Sequence, residues 1–196
     1  MANTDSPFGL IPKMYLNGTP WNGKYNIYYV PSTDNTAIYK GDVVKLAGSA
    51  SADGIYPDVA QAAATDETLV GVAIGFGTSP NLMFDIDNLT RNYRAAATAM
   101  YVAVVDDPNV IFEAQEDSVG GALAVTDIGN NADIVVGSGS TTTGQSGMEI
   151  DSSDKKTATA QLRILRLANR PDNVLGDNAK WLVLINEHVF KSTAGA

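Results

Sequence analysis

The stretch MYVAVV (residues 100–105), DDPN (106–109) and VIFEAQE (110–116) decides the fold class. Its first six residues are an unbroken apolar run of strand length, the pattern of a strand buried on both faces. The next four are turn chemistry, with Pro108 presetting φ. Val110, Phe112 and Ala114 then alternate against Ile111, Glu113 and Gln115, the period of a half-buried strand. Strand, turn and strand together predict a β-hairpin about Pro108.

Working outward, the same grammar recurs. In KYNIYYV (24–30), Tyr25, Ile27 and Tyr29 alternate against Asn26 and Tyr28. Asp42 to Leu46 forms a further run. LVGVAIGF (69–76) sets Val70, Val72, Ile74 and Phe76 on one face and Leu69, Gly71, Ala73 and Gly75 on the other. The nearly bare second face predicts a close backbone neighbour. QLRILRL (161–167) alternates until Leu165 breaks the pattern, which predicts a strand with a bulge. WLVLI (181–185) reads as a central buried strand. Gly129-Asn130-Asn131 and Arg170-Pro171-Asp172-Asn173 are turns. GSGSTTTGQSG (137–147) reads as a flexible polar loop, and the tail KSTAGA as loose. Short helices are expected only near 117–125 or 90–98. The sequence thus predicts an all-β protein, a β-barrel or β-sandwich (jelly-roll-like) body over 25–196 with an irregular N-terminal arm over 1–24.

Composition bounds the function. The 196 residues carry 13 Lys+Arg against 22 Asp+Glu, a net charge of −9, with 44% hydrophobic residues. A chain of this size builds one good-sized domain with an accessible surface of roughly 9,000 Å². There is no Cys and one His, which removes disulfides, thiolate sites and two-histidine metal centres. No apolar stretch reaches the length of a membrane span, and no basic region followed by an apolar core marks a secretory signal at the N-terminus. Nucleic-acid binding draws on Lys and Arg to neutralise phosphates. With acids in excess and one small basic cluster, Arg163, Arg166 and Arg170, neither nucleic acid nor membrane is an expected partner.

Residues 1–24 differ from the rest. Pro7, Pro12 and Pro20 with Gly9, Gly18 and Gly23 interrupt helix and strand alike. Between them lie Phe8, Leu10, Ile11, Met14, Tyr15, Leu16 and Trp21. Such a segment is apolar yet irregular. It either straps across its own domain or docks on another chain.

No catalytic or cofactor motif emerges. Gly75-Phe76-Gly77 lacks the third glycine and following helix of a nucleotide site. Asp85-Ile86-Asp87-Asn88 begins like a calcium loop but lacks the later ligands. Asp106-Asp107 and Asp151 to Asp154 read as polar turns. His188 follows the WLVLI strand with no Gly-x-Ser-x-Gly elbow to supply a nucleophile, so it reads as structural. Trp21, Tyr25, Tyr28 and Tyr29 fit a core or subunit contact better than a sugar platform. No metal or cofactor is expected, and the chain reads as non-enzymatic.

Several pieces together resemble the head decoration, or capsid cement, proteins of tailed bacteriophages. They are Ala2-Asn3-Thr4, Ser6-Pro7-Phe8-Gly9-Leu10 and Pro12, then Leu16-Asn17-Gly18 and Trp21-Asn22-Gly23. They continue with Tyr101 to Pro108, Phe112-Glu113, Thr142 to Ser146, Arg163 to Leu167, Pro171-Asp172-Asn173 with Gly176, and Val183 to His188. The stretch 24–100 carries less of the resemblance. It implies a β-rich homotrimer on the outer surface of a virion capsid, clamping neighbouring copies of the phage major capsid protein after assembly in the bacterial host cytoplasm. The expected docking residues are Pro7, Phe8, Gly9, Leu10, Ile11, Pro12, Leu16 and Trp21. Tyr25, Tyr28, Tyr29, Arg163 and Arg166 are the expected subunit contacts. The alternative is a β-sandwich carbohydrate-binding or adhesive module on a virion or cell surface, using Trp21, the Tyr25 to Tyr29 cluster or the 137–147 loop. A hydrolase working through scattered carboxylates or His188 is a third reading. The short, β-rich chain argues against a small major shell subunit.

Overall fold

The structure is a computed structural model that describes residues 3–65, 67–83 and 92–191. The strands are β1 (Ile11–Tyr15), β2 (Asn26–Val30), β3 (Ile38–Tyr39), β4 (Val43–Ala50), β5 (Pro57–Gln61), β6 (Gly71–Gly77) and β7 (Tyr93–Arg94). There follow β8 (Met100–Val105), β9 (Val110–Gln115), β10 (Asn131–Ala132), β11 (Ile134–Val135), β12 (Glu149–Ile150), β13 (Leu162–Leu167) and β14 (Lys180–Ile185). The chain is all-β, as its alternation predicts. The helices expected near 117–125 and 90–98 are replaced by other structure. Ser118, Gly120 and Gly121 take positive φ, and a short 3-10 turn, Val125–Asp127, follows them. In the second stretch Tyr93–Arg94 is a strand and Ala97 has φ 55°, while residues 90–91 lie outside the described residues.

Two bodies of sheet share the chain. A closed barrel runs β2-β5-β4-β6-β8, and a five-stranded antiparallel sheet runs β1-β9-β14-β13-β10. The hairpin expected about Pro108 does not form. β8 pairs with β2 and β6 in the barrel, whereas β9 pairs with β1 and β14 in the sheet. The turn itself stands, with the Val110 amide donating to the Asp107 carbonyl (3.1 Å) and the Asn109 amide to Asp107 Oδ1 (2.8 Å). It is a corner between two sheets. The sequence shows two strands and a turn, but pairing is chosen by which partners bury each apolar face.

The cores follow from that corner. Val110, Phe112, Ala114, Trp181, Val183, Ile185, Leu162 and Ile164 line the inner face of the sheet and meet Val43, Leu69, Val72 and Val105 from the barrel side. Tyr28, Val30, Val44, Val59, Ala73, Phe76, Val102 and Val104 fill the barrel. The single bulky face expected of Val70, Val72, Ile74 and Phe76 is divided: Val72 and Ile74 join the sheet core, Val70 and Phe76 the barrel core, and the β6 register shifts between Ala73 and Gly75. Its bare face has the expected close neighbour: a Cβ on Gly71 would lie 2.1 Å from the Val105 carbonyl oxygen. The bulge expected in β13 falls between Ile164 and Arg166. One end of the barrel is fastened by Arg94, which is wholly buried and donates to the carbonyls of Pro31 (2.8 Å), Asp34 (2.8 Å) and Thr98 (2.7 Å).

Both sheet edges carry extra chain. Beside β1, residues 16–21 fold back so that Tyr15 donates to Thr19 and Trp21 to Lys13. Beside β10, Asn131 and Lys156 exchange backbone hydrogen bonds. The loop expected to be free over 137–147 is tied down as well. Lys40 donates to the Gly144 carbonyl, Ser146 donates to Lys40, and Gly139 sits against the Tyr39 ring.

The leading segment has the expected irregular backbone outside residues 11–15, but it holds a strand there and lies against its own chain. Residues 11–15 pair with β9, and Leu10 is 1% exposed within the main core. Pro12 is accommodated where the β1 register shifts, between Pro12 and Met14. Leu10→Ala is expected to destabilise the fold by about 2–5 kcal/mol in urea denaturation. Leu16→Ala, at a half-exposed site, should stay within about 0.5 kcal/mol of the parent.

Candidate protein-interaction surfaces

Three surface regions gather the residues expected to act, and each follows from the strand pattern. The first is the N-terminal strap, residues 3–10, and the cleft beside it. Asn3 donates to the carbonyls of Val174 (2.9 Å) and Asp177 (2.8 Å) and accepts from the Val174 amide (3.0 Å). Gln115 donates to the Thr4 carbonyl (2.9 Å) and accepts from the Ser6 amide (3.1 Å). At the crossing with residue 41, Gly9 has φ +72°, and a Cβ there would lie 2.4 Å from the Gly41 carbonyl oxygen. Only glycine fits such a contact at positive φ.

This anchoring sorts the expected docking residues. Gly9 and Leu10 are buried in their own chain and present nothing outward. Trp21 packs against the main core, its Nε1 donating to the Lys24 carbonyl (3.2 Å). Pro7, Phe8 and Pro12 are half-buried, and Ile11 and Leu16 are exposed. Phe8 and Ile11 line a cleft of about 580 Å³ with Pro171 and Val174, and Arg170, Asp172 and Lys180 add charge to its wall.

The second region is the outer face of the five-stranded sheet. Register sets Met14, Ile111, Leu184 and Arg163 in one row across four strands. Ile11, Glu113, Leu182 and Arg166 form the neighbouring row. Ile111, Ala168 and Leu182 make a small apolar centre, with Met14, Leu165 and Leu184 packed on it. Around it stand Lys13, Arg163, Arg166, Arg170 and Lys180. Glu113 is nearly buried there, paired with Lys13 (3.3 Å) and Arg170, and Arg170 also forks onto Asp172 at 2.9 and 2.8 Å. Arg163 donates to Asn131 Oδ1 (3.0 Å), and Arg166 lies over the Met14 sulfur (3.7 Å). Among the described residues neither forms an ion pair with a carboxylate. The sequence flagged these arginines as a cluster; their convergence with Lys13 and Met14 depends on β1 joining the sheet.

The third region is an open groove of about 670 Å³ on the barrel, lined by Tyr25, Ile27, Ile55, Tyr56, Pro57, Asp106 and Phe190. Tyr56 of this lining meets Tyr101 edge to face at a ring separation of 5.1 Å, and Tyr101 meets Tyr29 at a tilt at 5.3 Å. Of the expected contact tyrosines, Tyr25 is exposed, Tyr29 half-buried and Tyr28 inside the barrel. Tyr28 donates to Asp106 Oδ2 (2.7 Å), and burial with that carboxylate raises its phenol pKa. Trp21 and Tyr25 to Tyr29 do not form one platform, since Trp21 belongs to the sheet core and Tyr28 to the barrel core.

His188 is 1% exposed. Its Nδ1 accepts the Phe190 amide (3.2 Å), and burial lowers its pKa to about 4. Its residue bridges to Leu69, so it fastens the end of the chain to the barrel. Among the described residues no group of three or more His, Cys, Asp or Glu is placed to hold a metal ion. Asp85 to Asn88 lie outside the described residues. Sequence reasoning missed Asn3, Gln115 and Glu113 as the ties of strap and sheet face. Their partners lie between 57 and 174 positions away, and no local signal marks them. No family model, curated protein or solved structure matches the chain.

The strap also meets an acidic neighbourhood. Glu149 on β12 has Oε1 buried without a hydrogen-bond partner. Burial, then Asp5 of the strap, Asp117 and Glu116 push its pKa up from an ordinary 4.5 to about 7. The folded chain therefore favours the protonated acid. This contribution to stability is fully present below pH 4.5 and is lost as pH rises through about 7. Urea midpoints measured from pH 5 to pH 8 should fall, and Glu149→Gln should flatten that slope.

Proposed function

We propose that this chain is a non-enzymatic structural protein of a tailed-phage virion. In this reading it seats as a homotrimer on the outside of the capsid and clamps neighbouring major capsid subunits. The observation that carries the reading is the ready-made cleft between strap and sheet, where Phe8, Ile11, Pro171 and Val174 face outward beside Arg170 and Lys180. The apolar walls suit an aliphatic or aromatic anchor, and Arg170, held in place by Glu113 and Asp172, gives the cleft a fixed polar rim.

The anchored strap alters the energetics of docking. A free arm of 24 residues that buried about 1,000 Å² would gain about 25 kcal/mol gross, and ordering its backbone at about 1 kcal/mol per residue would cancel nearly all of it. Here the ordering accompanies folding, so a partner meets a preorganised surface. Three such clefts on one trimer would add avidity of about a hundredfold or more.

Deleting residues 1–24 would remove β1 and Leu10 and so damage the fold. Point changes at the cleft rim are the cleaner test. Val174 is 44% exposed. Val174→Asp should weaken co-sedimentation with capsids lacking this protein about tenfold, equivalent to about 1.4 kcal/mol, with the urea midpoint unchanged. Full binding by Val174→Asp and by Phe8→Ala together would remove the cleft from the contact.

A further inference from the structure

We propose that copies of this chain join head to tail, the cation-ringed sheet face of one copy seating on the aromatic groove of the next. The inference rests on the three-copy reading above and names its contact.

Charge separation is the first observation. The sheet face gathers Lys13, Arg163, Arg166, Arg170 and Lys180 against Glu113 and Asp172, a net of +3. Because the whole chain is −9, the remainder stands at −12. Two such sheet faces repel one another, which disfavours a contact of the face with itself. The same face against the acidic remainder of a second copy is attractive. A contact between unlike surfaces is heterologous, and it closes when its rotation returns to the start.

Shape and chemistry select the groove within that remainder. Ile55 is 66% exposed and Phe190 57%, and both line the groove beside Tyr25 and Tyr56. Those are large apolar exposures for side chains that converge on one concavity. The sheet face answers with Met14, Leu165 and Leu184 on its apolar centre. Among the described residues, Arg163 and Arg166 carry guanidinium groups that form no ion pair with a carboxylate. A planar guanidinium stacks on tyrosine rings and forks onto carboxylates. Tyr56 and Tyr101 supply the rings, and Asp53, whose Oδ1 accepts the amide of the groove residue Ile55 (3.1 Å), supplies a carboxylate beside them. Two cations adjoin the groove lining in sequence, Lys24 beside Tyr25 and Lys191 beside Phe190, and Lys191 is turned onto the Pro108 carbonyl (2.7 Å).

The test is complementation read by light scattering. The parent should weigh about 62 kDa, three chains of 20.6 kDa, and should lose mass as salt is raised. Arg166→Glu spoils the sheet face and Ile55→Asp spoils the groove. Each alone should weigh 20.6 kDa. Mixed in equal amounts they should give about 41 kDa, because one intact junction remains and the pair cannot extend. Arg163→Glu and Phe190→Asp form a second pair, and urea midpoints confirm that each variant is folded. A monomeric parent, variants of parental mass, or a mixture that stays monomeric would overturn the proposal. Capsid co-sedimentation keeps it apart from the decoration reading. Trimers that ignore capsids sink that reading and leave this contact standing, whereas capsid binding by variants of parental mass does the reverse.

Discussion

A barrel and a sheet can share one core only if the chain turns between them without stranding polar backbone. The corner Asp106-Asp107-Pro108-Asn109 meets that constraint, and the rest of the molecule is hung from it. The Asp106 carboxylate accepts from Tyr28 and from Asn26, which fixes the barrel strand β2. The Asn109 carbonyl accepts from Leu16, which fixes the end of β1, and the Pro108 carbonyl accepts from Lys191 near the end of the described chain. One turn thus joins barrel, sheet, N-terminal strand and C-terminal segment.

From the corner the two cores follow. β9 carries its apolar face toward the barrel and its mixed face, Ile111 with Glu113, outward. β1 and β14 flank it, so the outward residues of the N-terminal strand and the arginines of β13 come to lie on one surface. The candidate surfaces are by-products of burial: whatever the cores did not take was left on the outside in ordered rows. Glu113 is the exception, a carboxylate kept nearly buried by Lys13 and Arg170, and it ties the turn after β13 to the first strand.

Much of this was legible in the residues. The apolar runs of β6, β8, β9, β13 and β14 and the bulge at Leu165 are written in local alternation. Gly71 announced a close backbone neighbour, and one was there. Pairing was not legible, because a turn at Pro108 looks the same whether its strands face each other or part company. The strap was half legible: its prolines and glycines signalled irregularity, yet a register shift let Pro12 sit in a sheet edge, and Leu10 was drawn into the core. Arg94 gave no sign of its burial, since its partners are backbone carbonyls of loops elsewhere. The candidate surfaces were legible as residue types and not as places, for their members meet only through pairings between distant strands.

The covered margins of the five-stranded sheet have a consequence for how the molecule can accumulate. With Thr19 and Trp21 bonded along one margin and Lys156 along the other, and with the barrel closed, the main sheets offer little bare backbone for a foreign strand to add to. Along those two margins, contacts between copies fall to side chains rather than to added strands.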